Sequence, residues 1–166
     1  MALKHDTQLT RQIGEHLVTA ELGRREIIAS PFAGNVSHID ILAYKNGKSI
    51  PLQVKAIRGG DWQFTIDKFV KVEIENEIQI LGAKHTPNIE HLLCIFVLLD
   101  TAYGKDKFFI FEWEQLQNIA ETKYRAWLVT KGGRRPRNQK SLHCSISPND
   151  LAQFEGKWKI LDEKFN

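Results

Sequence analysis

Apolar residues recur at helical spacing near the start of the chain. Two rows follow this spacing between Asp6 and Leu22, and Gly23 is placed where a helix would stop. The first row consists of Leu9, Ile13, Leu17 and Ala20, and the second consists of Glu15, Val18 and Leu22. The pattern predicts a helix that is covered on more than one side.

Beyond this helix the pattern changes to short runs of β-branched, aromatic and aliphatic residues, which favour strands. Leu92–Leu99 is a continuous apolar run, typical of a central strand that is buried on both faces. Lys107–Phe111 is expected to pair with it. Further strands are predicted at 26–30, within 36–57, across 62–81 and at 142–146. Further helices are predicted at 112–129 and at 149–154, and Ser147-Pro148 would cap the second of these. Without a linker or repeat, residues 1–166 are expected to form a single α/β domain.

The dipeptide Asn46-Gly47 lies between two β-like runs and predicts a type I′ hairpin turn, because both residues tolerate a positive φ. A two-residue turn fixes the pairing of the flanking strands. On the polar face, Asp40 is expected opposite Gln53, with Lys55 next to Gln53. The apolar face is expected to hold the pairs Ala43/Ile50, Ile41/Leu52 and Ile39/Val54. Pro51 would face Leu42, where its missing N–H removes no bond between the two strands.

An acid, an amide and a lysine on one polar patch have a definite possible chemistry. Carboxylate and carbonyl oxygens suit a hard cation such as Mg²⁺, which can polarise a phosphoryl oxygen. A lysine can orient or help deprotonate water and can offset charge that grows on a phosphate. The patch is therefore a candidate hydrolytic site, although an ordinary solvated polar face is an alternative interpretation of the same pattern.

Two segments resemble the PD-(D/E)-x-K nucleases, in which an acid on one strand is followed by acid-x-Lys on the next. They are Ile39-Asp40-Ile41-Leu42 and Leu52-Gln53-Val54-Lys55, on either side of the Asn46-Gly47 turn. Gly14-Glu15 is similar to the helix that carries a further glutamate in that family. The resemblance covers residues 10–57. It implies a restriction-endonuclease-like fold, with a mixed central β-sheet flanked by helices, and endonuclease activity.

The resemblance also implies roles for individual residues. Glu15 and Asp40 would be ligands of Mg²⁺ or Mn²⁺, Gln53 a third ligand or a water-positioning residue, and Lys55 the catalytic lysine. Position 53 is Gln where the family usually has an acid, which lowers the negative charge and should weaken cation binding. This Q-x-K variant is similar to resolvase-like and intron-encoded endonucleases. Ile39 stands where the family usually has proline.

A basic segment without acids lies late in the chain. Its five cations are Lys131, Arg134, Arg135, Arg137 and Lys140. They are expected to contact phosphates of a nucleic acid, with DNA as the expected partner. A loop that is merely solvated is the alternative interpretation. A net charge of +3 is too small by itself to predict nucleic-acid binding. An inactive nuclease-fold module that binds nucleic acid or protein is therefore the competing hypothesis.

The rest of the composition sets broader expectations. The longest apolar run, eight residues at Leu92–Leu99, is too short to cross a membrane, and the N-terminus lacks a leader pattern, so a cytoplasmic location is expected. Cys94 and Cys144 lie within predicted strands without metal-site spacing and are expected to be buried thiols. A nuclease this small would usually need a homodimer or a higher homo-oligomer to cut both strands of a duplex.

Overall fold

The computed structural model describes residues 4–32, 39–89 and 92–166. Its regular elements follow one another along the chain as α1 (Lys4–Arg24), β1 (Ile28–Pro31), β2 (Ile41–Lys45), β3 (Lys48–Ile57), β4 (Trp62–Thr65), β5 (Val70–Glu75), β6 (Ile78–Lys84), β7 (Leu93–Leu98), β8 (Lys107–Glu112), α2 (Trp113–Thr130), β9 (His143–Ile146) and α3 (Lys159–Lys164). Short 3₁₀ turns lie at Ile66–Lys68 and Pro148–Phe154.

A five-stranded sheet in the order β1-β2-β3-β7-β8 forms the centre of the fold. Strands β3 and β7 are parallel and the other neighbours are antiparallel, so the sheet is mixed. Strand β7 is buried from Leu93 to Val97, and β8 pairs with it as the sequence predicts. Helices flank the sheet on both faces, which confirms the predicted α/β class. None of the described helices is long and apolar enough to cross a membrane.

The two faces of the sheet carry separate cores. One core packs α1 and α3 against the sheet, with Val18, Leu22 and Leu161 completely buried. The other core is aromatic and lies beneath α2 and the β4–β9 pair; in it Phe96 contacts Trp62 and Phe111 at ring-centroid distances of 5.1 and 4.9 Å. Since side chains alternate along a strand, successive β3 residues face different cores.

Helix α1 packs through a different row of residues from the one that the apolar pattern emphasised. Val18 and Leu22 are fully buried, whereas Leu9 is 51% exposed. The reason is Gly14, which lies so close to β3 that an added Cβ would be 2.5 Å from Cβ of Ala56. The predicted second row is therefore the buried one, and Glu15 lies at its edge.

The end of α1 also differs from the prediction. The helix continues through Gly23 to Arg24, and Ile27 N–H donates to the Leu22 carbonyl oxygen at 3.0 Å. Glu26, with φ of 60°, adopts the left-handed conformation that a glycine usually provides after the end of a helix. A positive φ at a glutamate cannot be predicted from the sequence, because the hydrogen bonds that cap the helix hold Glu26 in this conformation.

The predicted strand region 62–81 divides into two separate pairs. Strand β4 pairs with β9, and β5 forms a hairpin with β6 around Asn76 and Glu77, both at positive φ. The predicted helix at 149–154 is a 3₁₀ helix from Pro148, with Ser147 as its cap. Helix α3 was missed, because six residues are too short for a periodic signal.

Candidate active site

The hairpin of β2 and β3 has the predicted register. Lys45 faces Lys48, Ala43 faces Ile50 and Ile41 faces Leu52, with Asn46 and Gly47 at φ of 53° and 79°. Pro51 faces Leu42, and the pairing of β3 with β7 begins only at the following residue, where Leu52 pairs with Leu93. Pro51 therefore interrupts neither ladder, as its missing N–H requires.

The ladder ends at Ile41 and Leu52, two pairs earlier than predicted, so that Asp40 does not face Gln53 in it. Asp40 N–H donates to the Leu52 carbonyl oxygen at 2.9 Å, and its own carbonyl oxygen accepts from Phe32 N–H at 3.0 Å. The expected Ile39/Val54 pair is absent from the described ladder. A shift of one residue, as in a β-bulge, turns the strand and re-aims the Asp40 side chain.

The carboxylate of Asp40 provides a hydrogen-bond acceptor for β3 beyond the end of its pairing with β2. Among the described residues, β2 pairs with β3 only as far as Leu52, whereas β3 continues along this edge to Ile57. At this edge Asp40 Oδ2 accepts the backbone N–H of Val54 at 2.8 Å. The acid is thereby fixed against β3, next to Gln53.

Glu15 is brought to Asp40 by a residue that the sequence analysis did not consider. Arg11 Nε donates to Glu15 Oε1 at 2.8 Å and its Nη2 donates to Asp40 Oδ1 at 2.9 Å. Both acid side chains are 14% exposed and Arg11 is 55% exposed. The hydrogen bond to Glu15 raises the pKa of Arg11 further. Of these two ion pairs, only Arg11–Glu15 could have been predicted from the sequence, because its i, i+4 spacing on a helix is a local pattern.

Gln53 presents an unpartnered oxygen. Its neighbour on β7 is Cys94, and its Oε1 atom is buried without a hydrogen-bond partner in the part of the chain that the structure describes. A buried carbonyl oxygen is costly when it is left unpaired, and a cation would satisfy it. Within the described residues, no three His, Cys, Asp or Glu side chains are grouped to hold a metal, so the Gln53 amide would have to join Glu15 and Asp40. This oxygen donor set fits a hard divalent cation.

Lys55 lies on the same face of β3 as Gln53, with its amine partly buried against the aromatic core. Its Nζ atom is 5.5 Å from the ring centroid of Phe64. Burial lowers the pKa of Lys55, and the neighbouring cation Lys68 lowers it further, while Asp40 acts in the opposite direction. A lysine in this situation loses its proton more readily than one in water, which suits proton transfer.

Both cysteines are buried, as predicted, and neither has a role that the geometry indicates. Burial raises the pKa of the Cys94 thiol, and burial raises that of Cys144 to about 11. Both thiols therefore stay protonated at neutral pH. Continuing the pairing fixed by the Asn46-Gly47 turn would set His38 opposite Lys55, but His38 lies outside the described residues.

The five cations of the basic loop 131–140 differ in their exposure and in their partners. Lys131, Arg137 and Lys140 are exposed. Arg134 is 51% exposed and pairs with Glu77 at 3.1 Å. Arg135 differs from the expectation of a free phosphate contact, because its guanidinium is engaged within the protein.

The partners of Arg135 explain this difference. Its guanidinium carbon lies 4.9 Å from the ring centroid of Trp127. Its nitrogens donate to Tyr124 Oη at 3.3 Å, to Ser141 Oγ at 3.1 Å and to the carbonyl oxygen of His143. Arg135 therefore fastens the loop to α2 and β9, and the other four cations are carried on its outside.

Comparison with known proteins gives one structural relationship. The chain is similar to a bacterial homing endonuclease, I-Ssp6803I, with a TM-score of 0.53 and 9% sequence identity. The similarity covers 95% of this chain and 94% of that one. No protein-family model matches the chain, and no curated protein matches it. This chain therefore shares the fold of that protein over nearly its whole length.

Proposed function

We propose that this chain is a metal-dependent endonuclease that hydrolyses phosphodiester bonds of DNA. The observation that carries the proposal is that Asp40, which Arg11 joins to Glu15, is hydrogen-bonded to β3 at Val54, between Gln53 and Lys55. Two carboxylates, an amide oxygen and an amine of lowered pKa are suited to phosphodiester hydrolysis. The fold shared with a homing endonuclease supports the same activity.

Each side chain has a role in this proposal. Glu15, Asp40 and Gln53 would hold Mg²⁺ or Mn²⁺, which supplies Lewis-acid polarisation of a phosphoryl oxygen when bound. Lys55 would help to deprotonate the attacking water in its uncharged form, which burial makes easier to reach than for a lysine in water. The ammonium that results offsets negative charge as it grows on the phosphate oxygens.

The substrate surface extends along the basic loop. The exposed cations Lys131, Arg137 and Lys140 would contact DNA phosphates, with a smaller contribution from Arg134 because it is already paired with Glu77. Contacts of this kind fix position on a duplex without selecting a sequence. Cutting both strands would take a homodimer or a higher homo-oligomer of the chain.

The activity test uses a variant of the proposed catalytic lysine. With Mg²⁺ or Mn²⁺ the purified chain is expected to cleave DNA, and Lys55→Met should lower the rate by about a hundredfold or more. Lys157→Met is the matched control, since Lys157 is exposed and distant in sequence from the site. The proposal fails if neither metal supports cleavage of linear, supercoiled or branched DNA.

The metal site has its own test. Isothermal titration of Mn²⁺ into the wild-type chain should give a binding isotherm that Asp40→Asn abolishes, because the variant removes one of the two carboxylate charges. Equal affinity in both proteins would exclude Asp40 as a ligand.

A specific observation favours a second candidate, an inactive nuclease-fold module. Gln53 stands where an acid is usual in the resembling family, and Arg11 already neutralises part of the charge of Glu15 and Asp40. Salt-sensitive DNA binding without cleavage, not restored by Gln53→Glu, would support this candidate. Absence of binding to DNA and RNA at low salt would favour a protein-interaction domain instead.

A further inference from the structure

The guanidinium of Arg11 lies between the two carboxylates of the proposed metal site. Nε binds Glu15 Oε1 at 2.8 Å and Nη2 binds Asp40 Oδ1 at 2.9 Å, while Asp40 Oδ2 is held by the N–H of Val54. Arg11 therefore occupies one oxygen atom of each acid. A divalent cation bound to the same carboxylates would compete with the guanidinium for them.

The acids and the arginine differ in how firmly they are held. Asp40 is tied to the backbone of β3 and is 14% exposed, and Glu15 has the same exposure on a helix packed against the sheet. Arg11 is 55% exposed and reaches inward from solvent. Ion pairs in which one partner is this exposed contribute little to stability. The guanidinium can therefore leave while the acids stay in place.

The charges of the site favour an exchange. Arg11 neutralises one of the two negative charges of the acids, whereas a divalent cation would neutralise both. Once the cation is bound, the guanidinium is repelled from the position that it occupied. The anion that arrives with the substrate is a backbone phosphate, which binds a guanidinium through two parallel hydrogen bonds.

We propose that Arg11 changes partners during function, from Glu15 and Asp40 in the metal-free protein to a phosphate of the bound DNA when the cation occupies the acids. Arg11 then occupies the two carboxylates in competition with the cation before metal binds, and it contributes to substrate binding afterwards. The inference rests on the proposed nuclease function and adds a residue to its site.

The first measurement is Mn²⁺ affinity by isothermal titration without DNA. Arg11→Gln removes the competing cation and keeps a residue of good helix propensity, so Mn²⁺ should bind about tenfold more tightly than to the wild type. Arg24→Gln is the matched control, because Arg24 is on the same helix and pairs with Glu21 at 3.1 Å. Its Mn²⁺ affinity should equal that of the wild type.

The second measurement is DNA affinity in the presence of Mn²⁺. It is made in the Lys55→Met background, which prevents cleavage from disturbing the binding curve. Adding Arg11→Gln to this background should weaken DNA binding about tenfold, since one charge-assisted phosphate contact is lost. If Arg11 exchanges partners, Arg11→Gln should therefore strengthen Mn²⁺ binding and weaken DNA binding.

The remaining outcomes overturn the inference in distinguishable ways. A purely structural Arg11 would give weaker Mn²⁺ binding in Arg11→Gln, because the acids would no longer be held together. Unchanged Mn²⁺ or DNA affinity would exclude the exchange and leave the proposed nuclease intact. If neither protein binds Mn²⁺, the metal site is wrong and both proposals fall. Arg11→Met, which also removes the charge and keeps good helix propensity, replaces the Gln variant with the same expected results if that variant does not fold.

Discussion

The carboxylate of Asp40 accepts the backbone N–H of Val54 at 2.8 Å, on the edge of β3 beyond the end of its described pairing with β2. Val54 is 3% exposed, so an unpaired N–H at this position would be shielded from water. The same carboxylate is bound by Arg11 through its other oxygen. One side chain therefore completes the sheet and also forms part of the proposed metal site.

Two substitutions of Asp40 should separate these roles. In Asp40→Asn the amide oxygen can still accept from Val54, so the free energy of unfolding should stay close to the wild-type value. Asp40→Ala leaves the N–H unpaired and should lower that free energy by about 1–3 kcal/mol. Urea denaturation of the two variants checks the difference. Equal stability would contradict the structural role of the carboxylate.

Two glycines of α1 should respond to alanine with opposite signs. An alanine Cβ at Gly14 would lie 2.5 Å from Cβ of Ala56, so Gly14→Ala should destabilise the chain by about 1–3 kcal/mol through overpacking. A Cβ added at Gly23 would meet no atom within 4 Å outside its own stretch of helix, and Gly23→Ala should stabilise the chain by up to about 1 kcal/mol through helix propensity. Thermal denaturation measures both effects.

A further variant tests the cause at Gly14. Adding Ala56→Gly to Gly14→Ala removes the clashing atom and should recover part of the lost stability. If the double variant is no more stable than Gly14→Ala, contact between α1 and β3 is not the reason for the glycine.

The lowered pKa of Lys55 should appear as a pH dependence of stability. Between this pKa and the ordinary value of 10.5, the unfolded chain binds more protons at this residue than the folded chain does. The free energy of unfolding contributed by Lys55 therefore increases with pH across that window. Lys55→Met should remove this increase, and urea denaturation from neutral pH to about pH 10 measures it. Parallel pH profiles for the two proteins would refute the shift.

Arg135 and Arg137 should behave differently although they are two residues apart. Arg135→Ala removes the contact with Trp127 and several hydrogen bonds, and it should lower the free energy of unfolding by about 1–3 kcal/mol. Arg137 is exposed, so Arg137→Ala should leave stability within about 0.5 kcal/mol of the wild type. The measurement is urea denaturation of both variants.

DNA binding should give a separate contrast for Arg137. Loss of one phosphate contact should reduce the slope of log affinity against log salt by about 1. An unchanged slope would show that Arg137 does not face the DNA.

The β2–β3 hairpin and the central strand were predictable because their signals are local. Asn46-Gly47 admits a tight turn with positive φ, and the alternation on either side then fixes which residues face each other. The eight-residue apolar run likewise predicts β7, since a strand that is covered on both faces of its sheet buries successive residues. Gln53 and Lys55 share a face for the same reason of period two.

The surroundings of Asp40 were not predictable by the same reasoning. Its shift out of register depends on how the chain enters β2, and its ion pair with Arg11 joins residues 29 positions apart. Arg11 has no local pattern that points to Asp40. Only the packing of α1 against β3, through Gly14 and Ala56, brings the two side chains together.

The sequence by itself determined the hairpin, the central strand and the placement of Gln53 and Lys55 on one face, because backbone conformation and side-chain alternation are properties of neighbouring residues. The tertiary structure decided which row of α1 is buried, where Asp40 points and that Arg11 lies between the two acids. Those features depend on how distant surfaces fit, and a one-dimensional pattern carries no measure of that fit.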